Sequence, residues 1–251
     1  MIDAHIHLDW YKEEERRHLL DSLTVDGMIA VSHNFQSCKD VWQLAQQYDV
    51  VHPAFGWHPE QPLPNKDELQ NIMHWIDQHY RGMVAVGEVG LPYYTRQENP
   101  QLDLQPYQAI LEAFMEKAST YQLPIVLHAV YEDADVVCDL LAKHQIKKAH
   151  FHWFKGSEAT IERMIAQKYR ISITPDCCYE KEIQALVQRY PIELMMAETD
   201  GPWPFEGPFQ DQMTHPNMVE AVIKQIAALK QLPWEEVSEQ LTRNTVEFYQ
   251  L

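Results

Sequence analysis

Short, nearly unbroken apolar runs recur along this chain. They are MIDAHIH at 1–7, GMIAVS at 27–32, VVHPAFG at 50–56, MVAVGEVG at 83–90, LPIVLHA at 123–129, KKAHFHWF at 147–154, YRISIT at 169–174 and IELMMAETD at 192–200. Each is too short for a typical helix and reads as a strand covered on both faces, the habit of parallel sheets. Longer stretches with helical spacing lie between them. Within 102–122, Tyr107, Ile110, Leu111, Phe114 and Ala118 fall on one face. The stretch 156–168 opens with Ser157 as an N-cap. Stretches 182–190 and 216–230 repeat the pattern, and a last helix places Pro233 in its first turn. Eight strands alternating with helices predict a (β/α)8 TIM barrel, one domain spanning 1–251. A doubly wound open sheet is the alternative, but it gives no reason for histidines and carboxylates to gather at strand ends. The Pro-rich segments around 59–64 and 202–208 read as surface loops, and no repeat, low-complexity tract or linker divides the chain.

Composition narrows the class. An apolar fraction of 45% over 251 residues suits a packed globular protein. No apolar run reaches about 18 residues, so no membrane-spanning helix is expected. The N-terminus lacks a basic segment followed by an apolar one, so no signal peptide is expected. The four cysteines, Cys38, Cys138, Cys177 and Cys178, form no C-x-x-C pair. Reduced thiols and a cytoplasmic location are the expectation. The formal charge is −17, from 20 Lys and Arg against 37 Asp and Glu. That excludes an extended basic footprint for duplex DNA, though not a local cationic site supplied by bound divalent ions.

Barrel active sites sit at the C-terminal ends of the strands. The polar residues there are His5 and His7 on the first strand, His58 after the third, Glu88 on the fourth and His128 on the fifth. The sixth carries His150 and His152, and the eighth Glu198 and Asp200. Residues two apart on a strand share a side, so His5 and His7 can face the interior together. An inward His or Glu is costly without a partner, and a metal ion satisfies several at once. Singly, each has a plainer role: His128 as a core histidine, Glu88 between glycines as a turn residue, Asp200 before Gly201-Pro202 as a turn initiator. Together, in register with strand ends, they point to metal. His5, His7, Glu88, His128, His152 and Asp200 are too many for one open tetrahedral site. They suit two divalent ions (Zn, Mn, Mg, Fe or Ni) about 3.5–4 Å apart that share a carboxylate. Glu88 is the natural bridge, because it lies between the first strand and the fifth and sixth in barrel order.

These segments resemble the TatD family of metal-dependent hydrolases, amidohydrolase-like barrels, over the whole chain. DAHIHLD resembles the family's opening D-x-H-x-H, FGWHPE its G-x-H-P, and VGEVGLPYY its G-E-x-G-L-D-Y-Y. LPIVLHA, HWFKG, AETDGP and RNTVEFY resemble its later segments in order. The resemblance implies that His5, His7 and Asp200 hold one ion, His128 and His152 the other, with Glu88 shared. It implies that Asp200 also takes a proton from the attacking water and that His58 touches substrate. The implied activity is a DNase-like, 3′–5′ attack on a single-strand end. Two positions depart from the family: Pro92 stands where it has Asp after G-L, and Val130 where it has Arg after the fifth-strand His. Such an Arg could neutralise a phosphate by paired hydrogen bonds, and the cations that could replace it are Arg96 and Lys155. Trp10, Tyr93, Tyr94, Trp153 and Trp203 follow strand ends, where bases of a single strand could stack on them. Two rival functions are a metal-dependent hydrolase of a small ester, lactone, amide or phosphotriester on the same barrel, and a non-catalytic metal-dependent binding protein.

Overall fold

The computed structural model describes residues 1–251. Eight strands run in parallel in chain order: β1 Ile2–Ile6, β2 Gly27–Val31, β3 Val51–Phe55, β4 Ala85–Gly90, β5 Ile125–His128, β6 Ala149–Phe151, β7 Arg170–Ile173 and β8 Met195–Ala197. All eight apolar runs are therefore strands. Long helices separate them: α1 Glu13–Asp21, α2 Phe35–Gln47, α3 Lys66–His79, then the short α4 Tyr93–Glu98 and α5 Gln105–Tyr121. The series continues with α6 Glu132–Lys143, α7 Glu158–Ala166, α8 Lys181–Arg189, α9 Val219–Lys230 and α10 Trp234–Tyr249. This is the (β/α)8 barrel, and no helix is long and apolar enough to cross a membrane.

Local chemistry sets the helix starts. Asn34 accepts from Ser37 N (2.9 Å) ahead of α2, and Ser157 accepts from Thr160 N (3.1 Å) ahead of α7. Asn65 and Glu68 form a reciprocal capping box at α3. Pro233 differs from expectation: it is the N-cap of α10, with extended ψ, and the helix begins one residue later. α5 likewise starts at Gln105, after Asp103 has accepted from Gln105 N (3.0 Å). Helix ends at Gln122, Gln231 and Gln250 take the left-handed conformation without glycine. The chain has only 8 glycines, and two of them sit beside the site. A Cβ at Gly90 would lie 1.9 Å from His128 O, and one at Gly56 would lie 2.4 Å from Glu88 O. These two bare positions let β3, β4 and β5 approach closely around Glu88.

The main core, 54 buried residues, fills the layer between strands and helices. A second cluster includes Ile29, Val31, Ala54, Val126 and Met196, with Phe248 and Tyr249 from the end of α10. Val126 shares a strand side with His128, so this cluster lies beneath the histidines. Pairing is regular from β1 to β8 except in two places. The register shifts between Asp3 and Ile6 on β1 and between Val86 and Val89 on β4. Those irregularities hold His5 and Glu88, in keeping with the habit of bulges near active sites. No ladder joins β8 to β1. The seam closes just beyond β8, where Asp200 N donates to His5 O (3.0 Å) and His7 N donates to Gly201 O (2.8 Å). The buried Asp3 carboxylate reinforces it by accepting from Thr199 N (2.9 Å) and the Thr199 hydroxyl.

Candidate metal centre

Glu88 is fully buried and lies inside β4, not at its end. Its two oxygens face different groups. Oε2 lies 3.2 Å from both His5 Nε2 and His7 Nε2. Oε1 lies 2.7 Å from His152 Nε2, 3.0 Å from His128 Nδ1 and 3.4 Å from His58 Nε2. Asp200 Oδ1 stands opposite, 3.3 Å from His5 Nε2 and 3.5 Å from His7 Nε2. The structure thus brings all six proposed ligands into one buried cluster. Asp200 arrives there from a turn three residues past β8, with φ +50°, a region Asp tolerates better than most residues. Trp153, directly after His152, holds φ +38°, a strained conformation for a bulky residue.

Whether the cluster fits metal is answered by its unpaired atoms. His5 Nε2, Glu88 Oε2 and Asp200 Oδ1 are buried, and none has a hydrogen-bond partner despite the short separations. They converge on shared space without hydrogen-bond alignment to one another. Left so, each would cost roughly 1–3 kcal/mol. The ligand atoms of His5, His7 and Asp200 all lie within 4.8 Å of each other, as do those of His5, Glu88 and His152, and those of His7, His58 and Glu88. Imidazole and carboxylate together suit the borderline divalent ions.

Charge in the metal-free cluster follows from this crowding. Burial opposes ionisation of Glu88, but the imidazoles of His152, His58 and His5 and the bond from His128 hold it well below the carboxylate range. Asp200 is likewise lowered against burial, chiefly by His5. Burial pushes His5 down, yet the nearby carboxylate charges of Glu88 and Asp200 override it and raise it well above 6.5. His128, buried too, is held up at about 9 by Glu60 and Glu88. Burial dominates at His152, lowered to about 4, and at His58, lowered to about 3.

Hydrogen bonds distinguish His58 from His128. His58 Nδ1 accepts from Glu60 N (3.1 Å), so neutral His58 carries its proton on Nε2 and donates toward Glu88. Its Nε2 stands 3.4 Å from Glu88 Oε1 at the rim of the cluster. His128 is turned the other way: Nε2 faces Glu60 Oε1 (3.2 Å), leaving Nδ1 for the cluster. Glu60 therefore does two jobs that were not read from the sequence. It orients His128, and it caps α4 by accepting from Tyr94 N (2.8 Å), Thr95 N (2.7 Å) and the Thr95 hydroxyl. A carboxylate is absent at Pro92, the N-cap of α4, and Glu60 from the β3 loop fills that place. The only sequence signal was its position in FGWHPE.

A second polar chain runs beneath the cluster. Tyr249 Oη meets His150 Nδ1 (2.6 Å), His150 Nε2 meets the Ser172 hydroxyl, and that hydroxyl donates to Glu198 Oε2. Glu198 Oε1 accepts from Trp153 N (2.8 Å) and stands 3.8 Å from the unpaired Nδ1 of His152. Burial raises Glu198 well above the usual carboxylate range.

The two cations read as substrate contacts are committed elsewhere. Arg96 pairs with the buried Asp133 and with Glu132 (3.4 Å) at the start of α6. Lys155 lies 4.0 Å from Asp176 and over the Trp153 ring. All four cysteines are free.

A (β/α)8 barrel with a buried His–carboxylate cluster at its C-terminal mouth defines the class: this is a hydrolase of the metal-dependent barrel type. The comparison with known families narrows it. The family described as TatD related DNase matches residues 2–250, and the chain belongs to it. An "uncharacterized metal-dependent hydrolase" of Haemophilus influenzae is 39% identical over 252 residues, covering 100% of both chains. Human "Deoxyribonuclease TATDN3" is 26% identical over 263 residues, covering 99% of this chain and 94% of its own. Among solved structures, the TatD homologue YjjV of Escherichia coli superposes with a TM-score of 0.91 at 24% identity, covering 100% of this chain and 98% of its own.

Proposed function

We propose that this chain hydrolyses phosphodiester bonds at the 3′ end of a single nucleic-acid strand. One divalent ion would be held by His5, His7, Asp200 and Glu88 Oε2, a second by Glu88 Oε1, His128 and His152. The observation that carries the reading is the division of Glu88, whose two oxygens face two separate ligand sets. The naming of the human relative as a deoxyribonuclease supports the substrate class. Divalent ions bound there supply the positive charge that makes water nucleophilic near neutral pH and steadies charge on phosphoryl oxygens. Asp200, ionised and with Oδ1 unpaired, accepts a proton as water oxygen attacks phosphorus. The bond from phosphorus to the 3′ oxygen breaks, and solvent protonates that oxygen. His58 Nε2–H and Glu60 hold the geometry on the second-ion side.

The test is elemental analysis paired with turnover on a single-stranded oligonucleotide. Glu88→Ala is expected to lose both metal and activity. Asp200→Asn is expected to keep most of its metal while activity falls about 10²–10⁴-fold. Wild-type turnover by Asp200→Asn would remove that residue as the base.

A further inference from the structure

The loops that follow the eight strands carry three cationic side chains, Lys12, Arg96 and Lys155. Each is already paired. Lys12 lies 3.5 Å from Glu15, Arg96 is clamped by Asp133 and Glu132, and Lys155 faces Asp176. Arg96 is further fixed because Asp133 is almost wholly buried. Against them the same loops set Asp9, Glu60, Asp176, Glu180, Glu206 and other acids. A groove that tracks a polyanionic strand needs free cations along the backbone path. Within these loops no cation stands free for such a track, the exposed Lys66 and Lys181 beginning α3 and α8 beyond them, and the whole chain carries −17.

What the mouth does offer is aromatic surface. Trp10, Tyr94 and Trp203 are 44%, 47% and 54% exposed, and each stands within a few residues of the cluster in chain or space. Trp10 is the most tightly held. Its ring stacks on His7 (centroids 4.1 Å apart, 10° between planes), and its Nε1 donates to His33 Nδ1 (2.7 Å). Tyr94 stands edge-on to His128 at 6.1 Å, and Trp203 packs against Trp153 at 5.6 Å. Trp203 N donates to Asp200 O (3.1 Å), which ties that ring to the turn carrying the proposed base. Half-exposed rings pinned by specific contacts are pre-organised faces for another π-system.

Building on the phosphodiesterase reading, we infer that the mouth engages one phosphodiester at a time and holds its flanking bases by stacking on Trp10, Tyr94 and Trp203. The preferred substrate is then a dinucleotide or the terminal step of a strand, taken without contacts to more distant phosphates. Affinity comes from aromatic contact, and the nucleic acid is released after each cut.

Kinetics on Mn²⁺-loaded full-length protein test this, comparing the dinucleotide dTpdT with a single-stranded oligothymidylate of about twelve nucleotides. We expect kcat/KM for the two to agree within about tenfold. With about one phosphate engaged, the salt slope is about −0.7, so raising NaCl from about 50 to about 200 mM should lower kcat/KM about threefold. Trp10→Ala and Trp203→Ala should each raise KM for dTpdT about tenfold. An oligothymidylate favoured more than about hundredfold, with a loss of more than about hundredfold over that salt range, would overturn the inference. Unchanged KM in both alanine variants would overturn it too. Turnover of the oligothymidylate but not of dTpdT would overturn it as well, whereas absence of turnover on both substrates would overturn the phosphodiesterase reading itself, and this inference with it.

Discussion

Loading metal into the cluster should drive protons out of it. In the metal-free protein at pH 7, Glu88 and Asp200 are already ionised, so they release none. His58 and His152, lowered to about 3 and about 4, are already neutral. His5 and His128 are not: the first is held well above 6.5 and the second at about 9. An imidazole must be neutral to ligate, so the protons on His5 and His128 should leave on loading. His128 alone, two units above pH 7, weakens binding about hundredfold, or about 3 kcal/mol. Apparent affinity should therefore rise with pH through both residues, the share from His128 being about tenfold per pH unit and levelling off above about pH 9. Isothermal titration with Mn²⁺ in two buffers of different ionisation enthalpy counts the protons directly. A count near zero, or an affinity flat between pH 6.5 and 8.5, would refute the charge assignment. The sign for stability is opposite. His128 has its folded pKa raised from 6.5 to about 9, so its contribution to the metal-free fold is full below 6.5 and lost as pH rises through about 9. The metal-loaded protein should lack that alkaline loss.

Two further substitutions probe the helpers. Glu60→Ala strands Tyr94 N, Thr95 N and His128 Nε2 without an acceptor, which should cost about 2 kcal/mol and lower Tm by about 4–8 °C in thermal melts. Adding Pro92→Asp places a carboxylate at the N-cap of α4 and should regain about 1 kcal/mol; no recovery would show that Glu60 acts mainly through His128. Glu198→Ala removes the acceptor nearest His152 Nδ1 and should weaken metal binding about 10–100-fold by titration, with little change in far-UV circular dichroism.

The strands were legible because a sheet buried on both faces leaves no room for polar alternation, so β1 to β8 stand out as apolar runs. His5, His7, Glu88, His128, His152 and Asp200 were legible because a charged side chain inside such a run demands a partner. Glu60 was not, because its partners at Tyr94, Thr95 and His128 lie 34 to 68 residues away. Arg96 and Lys155 looked free for substrate for the same reason: Asp133 and Asp176 reach them only across loops. His150 and Glu198 were visible as polar residues two positions before the proposed ligands His152 and Asp200. Their link through Ser172 depends on a neighbouring strand whose sequence, YRISIT, reads as ordinary core.

The open side of β1 also matters while the chain is being synthesised. Every other neighbouring strand pair joins consecutive elements, but Asp3 waits for Thr199, 196 residues later. Until the last fifth of the polypeptide leaves the ribosome, one flank of the first strand has nothing to pair with, the situation in which nascent chains stick to each other. A carboxylate at that bare flank repels edge-to-edge pairing with another copy. Asp3 thus guards the edge first, and once the barrel shuts it becomes the latch.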